Sequence, residues 1–186
     1  MSFVDKIIKT NRLEYVGQFQ KKDGELSFDW IMKRERLNDK RGRVYFFIEV
    51  SQDGSKKILK IGKSNSKSGI KGTLFNYISA LKGTPGVNRF SLHHLICDKL
   101  NEKKQMLVYC IFIESVKKQI TGIFKTSLIE IPLDVTYIEE LCLKEYFEEY
   151  SNYPEWNFQE SNTKIPLNLI ESFGRFIENK KLTRKK

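Results

Sequence analysis

The clearest feature of the sequence is a pair of short apolar runs separated by a turn. Residues 44–50 (Val-Tyr-Phe-Phe-Ile-Glu-Val) are rich in β-branched and aromatic side chains, which predicts a buried strand. A second apolar run, at 58–64, contains Lys60 and Gly62. Between the two runs, residues 52–55 (Gln-Asp-Gly-Ser) have hairpin turn chemistry, because Asp and Gly tolerate a positive φ. We therefore expect two adjacent antiparallel strands with Tyr45 and Lys60 on one face.

The remaining pattern predicts helices and one more core strand. Apolar residues at 74, 75, 78 and 81 fit one face of a helix, and further helices are expected from Phe90 onward and over 137–147. The continuous apolar run at 106–114 predicts a third core strand. Residues 2–10 have helical spacing, and 26–31 form another partly buried stretch. The predicted fold is an α/β domain in which helices flank a small central three-stranded sheet, mixed or antiparallel, with a helical and basic N-terminal extension.

The charge balance narrows the choice of partner. The chain has 186 residues, with 33 Lys and Arg against 23 Asp and Glu, giving a net charge of +10 and a pI near 9.4. Such a surplus favours a polyanion such as DNA or RNA, because each neutralised phosphate releases counterions; the alternative is that it only aids solubility. Six basic residues occur among the eleven at 33–43, including Arg41 and Arg43. This segment is either a DNA-contacting element or a solvated helix and turn.

Other sequence features set limits on the setting of the protein. Residues 1–11 are short and charged, and no apolar run is long enough for a membrane span, so we expect a cytoplasmic protein. The cysteines at 97, 110 and 142 lack metal-ligand spacing and lie in apolar stretches, which predicts reduced core thiols. The adjacent pair His93 and His94 cannot form the i, i+4 pair of a helical zinc site.

The two strand motifs resemble those of the GIY-YIG nuclease family. The first motif is Gly-Arg-Val-Tyr at 42–45 and the second is Lys-Ile-Gly at 60–62. An extra residue separates Gly42 from Val44, and Lys60 stands where the second family tyrosine is expected. Some restriction enzymes of the family also have a lysine there.

A third block strengthens the resemblance. The helix expected over 137–147 is followed by Pro-Glu-Trp-Asn at 154–157, and family restriction enzymes have a glutamate on a helix that runs on to a Pro-x-Trp-Asn ending. Counting back from Phe147 puts that glutamate at Glu140. The resemblance covers 42–157, so we expect a nuclease domain there, an N-terminal extension at 1–41 for DNA contact or dimerisation, and a C-terminal extension at 158–186 with a basic tail.

The resemblance implies a catalytic role for four residues. Tyr45 would orient or deprotonate the attacking water if a neighbouring positive charge, supplied by Lys60, lowered its pKa from about 10. Glu140 would bind one Mg²⁺ or Mn²⁺ ion, whose other ligands are water and phosphate oxygens. The family arginine near the helix start has no counterpart between Arg43 and Arg89, and its role falls to Lys71 or, in another register, to the position of Thr73. Singly, these residues also have ordinary structural interpretations; their joint order favours catalysis.

The implied function is a metal-dependent DNA endonuclease, most simply a type II restriction enzyme acting as a homodimer on a two-fold double-stranded site. His93 is a further candidate for catalysis, with a structural role as its alternative. Two other functions remain open: a nucleic-acid-binding protein that kept the scaffold without activity, and a repair or mobile-element nuclease. The predicted DNA contacts are Arg41, Arg43, Lys63, Arg89 and Asn157; the alternative for Asn157 is a supporting position behind the residues that contact the substrate.

Overall fold

The computed structural model describes residues 3–10, 12–159 and 164–183. The predicted basic tail lies partly outside these ranges. A five-stranded sheet with helices on both faces forms the core of the described structure. In chain order the elements are α1 (Phe3–Lys9), β1 (Glu14–Lys22), β2 (Glu25–Trp30), α2 (Arg34–Leu37), β3 (Arg43–Val50), β4 (Lys56–Ser64), α3 (Gly69–Ile78), α4 (Val87–Asn101), β5 (Gln105–Phe112), β6 (Ser115–Thr121), β7 (Thr126–Pro132), α5 (Val135–Tyr150) and α6 (Leu167–Thr183).

The main sheet has the strand order β2-β1-β5-β3-β4, and every neighbouring pair is antiparallel. Strands β3 and β4 form the predicted hairpin, with Tyr45 opposite Gly62 and Phe47 opposite Lys60. Because side chains alternate between faces, Tyr45 and Lys60 share one face, as predicted. The sheet is larger than the three strands expected, since β1 and β2 continue it beyond β5.

Hydrophobic side chains fill both faces of this sheet. One face carries Phe47 and Leu59 and is covered by α3 and α4, with Trp156 completing the cluster. The opposite face carries Phe46 and Ile61 and is covered by α1 and α5. Strand β3 is buried on both faces, which explains why its sequence is a continuous apolar run rather than an alternating one. The expected class, an antiparallel sheet flanked by helices, is confirmed.

The N-terminus of α5 is fixed by its own sequence. The side chain of Asp134 accepts a hydrogen bond from the backbone N–H of Thr136 at 2.8 Å, which caps the helix and satisfies one of its otherwise unpaired donors. Val135, in the first turn, is 4% exposed and anchors that end of the helix in the core. The second turn, which carries Glu139, is thereby held beside β4.

The cysteine prediction agrees with the structure. Cys110 is buried, and Cys97 and Cys142 are half-buried, all three as free thiols. Burial raises the pKa of Cys110 to about 12 and that of Cys142 to about 11, so neither is a reactive thiolate at neutral pH. Among the described helices none is long and apolar enough to cross a membrane.

Candidate active site at the edge of the sheet

An open pocket of about 330 Å³ lies beside β4, the edge strand of the sheet, and we call it the edge pocket. Side chains from β3, β4, α3, α4 and α5 meet there, although they are far apart in the sequence. The pocket combines phenol, ammonium, guanidinium and carboxylate groups. Its lining residues are Tyr45, Lys60, Gly62, Lys63, Tyr77, Gly86, Asn88, Arg89, Leu92 and Glu139.

Tyr45 reaches the edge pocket over a glycine. A Cβ atom added to Gly62 would lie 2.6 Å from both Cζ and the hydroxyl oxygen of Tyr45, a distance that no side chain tolerates. Glycine is therefore needed opposite Tyr45 for the phenol to occupy its position. The hydroxyl oxygen of Tyr45 lies 2.6 Å from that of Tyr77 on α3, which gives the pocket a hydrogen-bonded pair of phenols.

The electrostatic environment of Tyr45 differs from the one expected. Burial raises the pKa of its phenol well above the ordinary value, and the neighbouring Tyr77 acts in the same direction. Arg89 lowers this pKa, but burial outweighs it. The expected lowering of this pKa by a nearby cation thus comes from Arg89, but the net shift is upward in the protein alone because the phenol is only 4% exposed.

The carboxylate in the edge pocket belongs to Glu139. Its side chain is 13% exposed, and its Oε2 atom forms an ion pair with Nζ of Lys63, 2.8 Å away. This contact is the main cause of the raised pKa of Lys63. Glu140, the predicted metal ligand, is the next residue on α5 and points to solvent. The one-residue difference arises because α5 packs Ile138 and Cys142 inward, which turns Glu139 rather than Glu140 toward β4.

The guanidinium in the edge pocket belongs to Arg89, in the first turn of α4. Lys71 is exposed on α3 and is not among the residues that line the edge pocket. Thr73, the alternative, is buried and shares a hydrogen bond of 2.6 Å with Ser64. Arg89, which was predicted only as a DNA contact, therefore lies in the edge pocket, and neither of the two candidates that the resemblance implies, Lys71 and Thr73, lines it.

Lys60 and His93 have different positions. Lys60 is half-buried and lines the edge pocket, as expected from the strand register. His93 is 6% exposed, and its Nδ1 atom lies 2.8 Å from the backbone oxygen of Tyr77. This contact connects α4 to the end of α3 and helps to fix Tyr77, which favours the structural alternative for His93.

Asn157 holds the edge of β4. Its Oδ1 atom accepts a hydrogen bond from the backbone N–H of Ile61 at 2.9 Å, and its Nδ2 donates to the backbone oxygen of Ile61 at 2.7 Å. The backbone N–H of Trp156 also donates to the oxygen of Leu59 at 2.8 Å. Asn157 is 3% exposed, so the amide predicted to contact DNA is committed to the protein backbone.

Arg41 and Arg43 are also committed to internal contacts. Arg41 is hydrogen-bonded to both carboxylate oxygens of Asp39 and pairs with Glu114. Arg43 is fully buried, and its guanidinium donates to the backbone oxygens of Arg41 and Ser66, both at 2.9 Å. Arg43 is buried, so its guanidinium cannot reach a phosphate in this geometry. The side chain of Arg41 is 37% exposed, so its contact with DNA stays a prediction.

A metal ion in the edge pocket would have few protein ligands. No group of three or more His, Cys, Asp or Glu side chains that could enclose a metal exists among the described residues. Glu139 offers one carboxylate in an open polar pocket, which suits a hard ion that keeps water and phosphate oxygens as its other ligands. The donor set therefore fits Mg²⁺ or Mn²⁺ and does not fit a structural zinc site.

Comparisons with known proteins give only distant similarities. No protein-family model matches the chain, and no curated protein matches it. Among solved structures, a mutant of bacteriophage T4 EndoII is 15% identical, with a TM-score of 0.46 over 82% of this chain and 96% of that one. The restriction endonuclease HPY188I in complex with product DNA is 23% identical, with a TM-score of 0.42 over 83% of this chain and 84% of that one.

Proposed function

We propose that the protein is a metal-dependent DNA endonuclease of the GIY-YIG type. The observation that carries the proposal is the convergence of Tyr45, Lys60, Arg89 and Glu139 on the edge pocket from four separate elements. The order of the motifs along the chain supports it, since Tyr45 and Lys60 come from the two strand motifs that resemble the family.

Each of these residues has a task in phosphodiester hydrolysis, which needs an aligned water and stabilisation of a developing negative charge. Arg89 binds the scissile phosphate, and its planar guanidinium can donate two parallel hydrogen bonds to phosphate oxygens. Lys60 neutralises a second part of the same charge. After its phenol has lost a proton to solvent, the Tyr45 phenolate orients the attacking water and accepts its proton, and the hydroxyl of Tyr77, 2.6 Å away, can donate a hydrogen bond to that phenolate.

Glu139 is the residue that would hold the metal. When bound, Mg²⁺ or Mn²⁺ supplies Lewis acidity to the phosphate and the leaving oxygen. Lys63 pairs with Glu139 at 2.8 Å in the protein alone, so Lys63 must release one carboxylate oxygen or share it. We infer that Lys63 pairs with Glu139 before the substrate arrives and then moves to the DNA backbone. Lys63 would thus both shield Glu139 in the free protein and make the DNA contact predicted from the sequence.

The finer proposal is a type II restriction enzyme that cuts double-stranded DNA as a homodimer in the cytoplasm. A two-fold protein matches a palindromic site, and the net charge of +10 favours a DNA partner. A repair or mobile-element nuclease has the same core chemistry. The two settings differ in whether cleavage is confined to one short sequence.

Cleavage of plasmid and phage DNA with Mg²⁺ or Mn²⁺ tests the proposal. Two pairs of variants, each with a matched control, test the assigned residues. Glu139→Gln should abolish cleavage, whereas the matched Glu140→Gln should leave it within about threefold of the native rate. Arg89→Ala should lower single-turnover cleavage by about 10²- to 10³-fold, as expected for loss of a charged transition-state donor, and Lys71→Ala should not. Discrete fragments would indicate a restriction enzyme.

Two other outcomes would contradict parts of the proposal. If Glu140→Gln were the inactive variant, the assignment of the metal ligand to Glu139 would fail while the nuclease proposal stood. If the native protein bound DNA but cut it with neither metal, the inactive binding protein would be the better interpretation.

A further inference from the structure

Strands β6 and β7 form a two-stranded hairpin outside the main sheet, and we call residues 115–132 the arm. Its strands are paired over their full length, from Ser115 opposite Pro132 to Thr121 opposite Thr126. Neither strand packs extensively against another helix or strand in the described ranges. A hairpin of this kind is marginally stable in water when nothing covers it.

The two faces of the arm differ in chemistry. Opposed pairs place Val116 next to Ile131 on one face, and Ile120 and Ile129 follow on the same face because side chains alternate. The other face carries Lys117 opposite Glu130 and Gln119 opposite Leu128. The arm is therefore amphipathic. Within the described residues, no other element packs extensively against its apolar face.

The apolar side chains of the arm are well exposed. The four on the apolar face are 37–47% exposed, and Ile123 and Phe124 at the tip are 93% and 96% exposed. With roughly 150–200 Å² for a large apolar side chain, these six expose about 600 Å². The apolar face contributes about half of this area, which matches the lower end of the roughly 300–600 Å² typical of the largest apolar patch on a monomer, and the tip contributes the other half. The two together are most of the roughly 800 Å² that each partner buries in a standard protein interface.

DNA is a less suitable partner for this surface. Proteins that wedge apolar groups into DNA use one or two side chains between base steps, which Ile123 and Phe124 could provide. Such a contact would leave the apolar face of the whole hairpin in water. The surface needs a partner that is itself apolar along about seven residues of strand, and the arm of a second copy has that property.

We propose that the arm is the surface through which two copies of this chain associate, apolar face against apolar face about a two-fold axis. An antiparallel crossing of the arms places each tip over the base of the partner arm, where Leu133 and Tyr137 are 42% and 64% exposed. Lys118, on the same face, can lay its methylene stem along the apolar surface and keep its ammonium at the rim. The inference deepens the homodimer part of the proposed function but depends only on the arm.

Sedimentation velocity without DNA, over a wide range of protein concentrations, tests this interface. The variant Val116→Thr, Ile129→Thr, Ile131→Thr keeps β-branched side chains, so the hairpin itself is retained, but it makes the face polar. The matched control Lys117→Thr, Gln119→Thr, Leu128→Thr changes three residues on the opposite face. We expect a native dimer, a dissociation constant raised at least about 100-fold in the first variant, and less than about threefold change in the control.

Two results would overturn the proposal. The proposal fails if the native protein stays monomeric at 100-fold above the concentration used in the cleavage assay. It also fails if the apolar-face variant dimerises as tightly as the control variant. A monomer whose DNA affinity falls in the apolar-face variant would assign the arm to DNA instead. Glu139→Gln should dimerise normally, so failure of the interface and failure of the nuclease proposal are separate outcomes.

Discussion

Replacing Asn157 with alanine should destabilise the protein rather than weaken a direct contact with DNA. The change removes both hydrogen bonds between the Asn157 amide and the backbone of Ile61, at 2.9 and 2.7 Å. Each hydrogen bond contributes about 1 kcal/mol net, and a buried backbone group left without a partner costs about 1–3 kcal/mol. Ile61 is 1% exposed, so water cannot readily replace the amide.

We therefore expect the free energy of unfolding to fall by about 2–4 kcal/mol, out of the roughly 5–15 kcal/mol typical of a native protein. In a urea titration with a slope of about 2 kcal/mol/M, the midpoint would fall by about 1–2 M. Asn152→Ala is the matched control, because Asn152 is exposed and its only described hydrogen bond is a long one, 3.3 Å to the backbone oxygen of Tyr150. Its midpoint should move by no more than about 0.3 M.

DNA affinity, measured in the same preparations at low denaturant and fixed salt, completes the test. The folded fraction of Asn157→Ala should bind DNA within about threefold of the native protein. An unchanged urea midpoint together with a tenfold loss of DNA affinity would refute the reasoning and restore the sequence-based role of Asn157 as a DNA contact.

Three further predictions concern the edge pocket and the ion pair between Asp39 and Arg41. Gly62→Ala should lower the free energy of unfolding by about 1–3 kcal/mol and cleavage by more than tenfold, because the new methyl group displaces Tyr45. Gly83→Ala is the control, because φ at Gly83 is -109° and an added Cβ there meets no atom within 4 Å. Because burial raises the pKa of Tyr45, single-turnover cleavage should rise about tenfold per pH unit from pH 7 to 9 without a plateau, and a flat profile would exclude Tyr45 as the base. Arg41 lowers the pKa of Asp39 to about 2 from an ordinary 3.8, so the stability difference between the native protein and Asp39→Asn should be constant above about pH 5 and shrink as the pH falls through 3.8 toward 2; a difference that grows in acid would contradict this.

The β3–β4 hairpin, β5 and the helices after them could be predicted from local pattern, whereas β1 and β2 were not predicted as strands of the sheet. The run at 44–50 and the Asp-Gly turn after it define the β3–β4 hairpin, and the register of that hairpin puts Tyr45 and Lys60 on one face. These are properties of adjacent residues, for which alternation and turn chemistry are sufficient.

The residues that complete the pocket depend on tertiary packing, which local patterns do not contain. Whether Glu139 or Glu140 faces β4 depends on which side of α5 is buried, and both register choices leave apolar residues inward. Arg89 was separated from the strand motifs by α3 and a turn, so only the packing of α4 against α3 shows that it reaches Tyr45. Nothing in the local sequence around Tyr77 indicates a role in the pocket. A search for charged or phenolic residues near the start of every helix after the second motif would have found Arg89.

The central position of β5 has a consequence for how the chain folds. Strands β1 and β3 lie on either side of β5, so the two N-terminal hairpins have no contact along the sheet until residues 105–112 are present. During synthesis, the first hundred residues leave the ribosome with Phe46 and Phe47 lacking the strand that completes their surroundings. The sheet can close only when β5 inserts between the two hairpins, a pairing of distant segments that is intrinsically slow. A fragment ending before residue 105 should therefore bind chaperones and resist refolding, and cooperative folding should require β5 together with α5, which covers the face that carries Phe46.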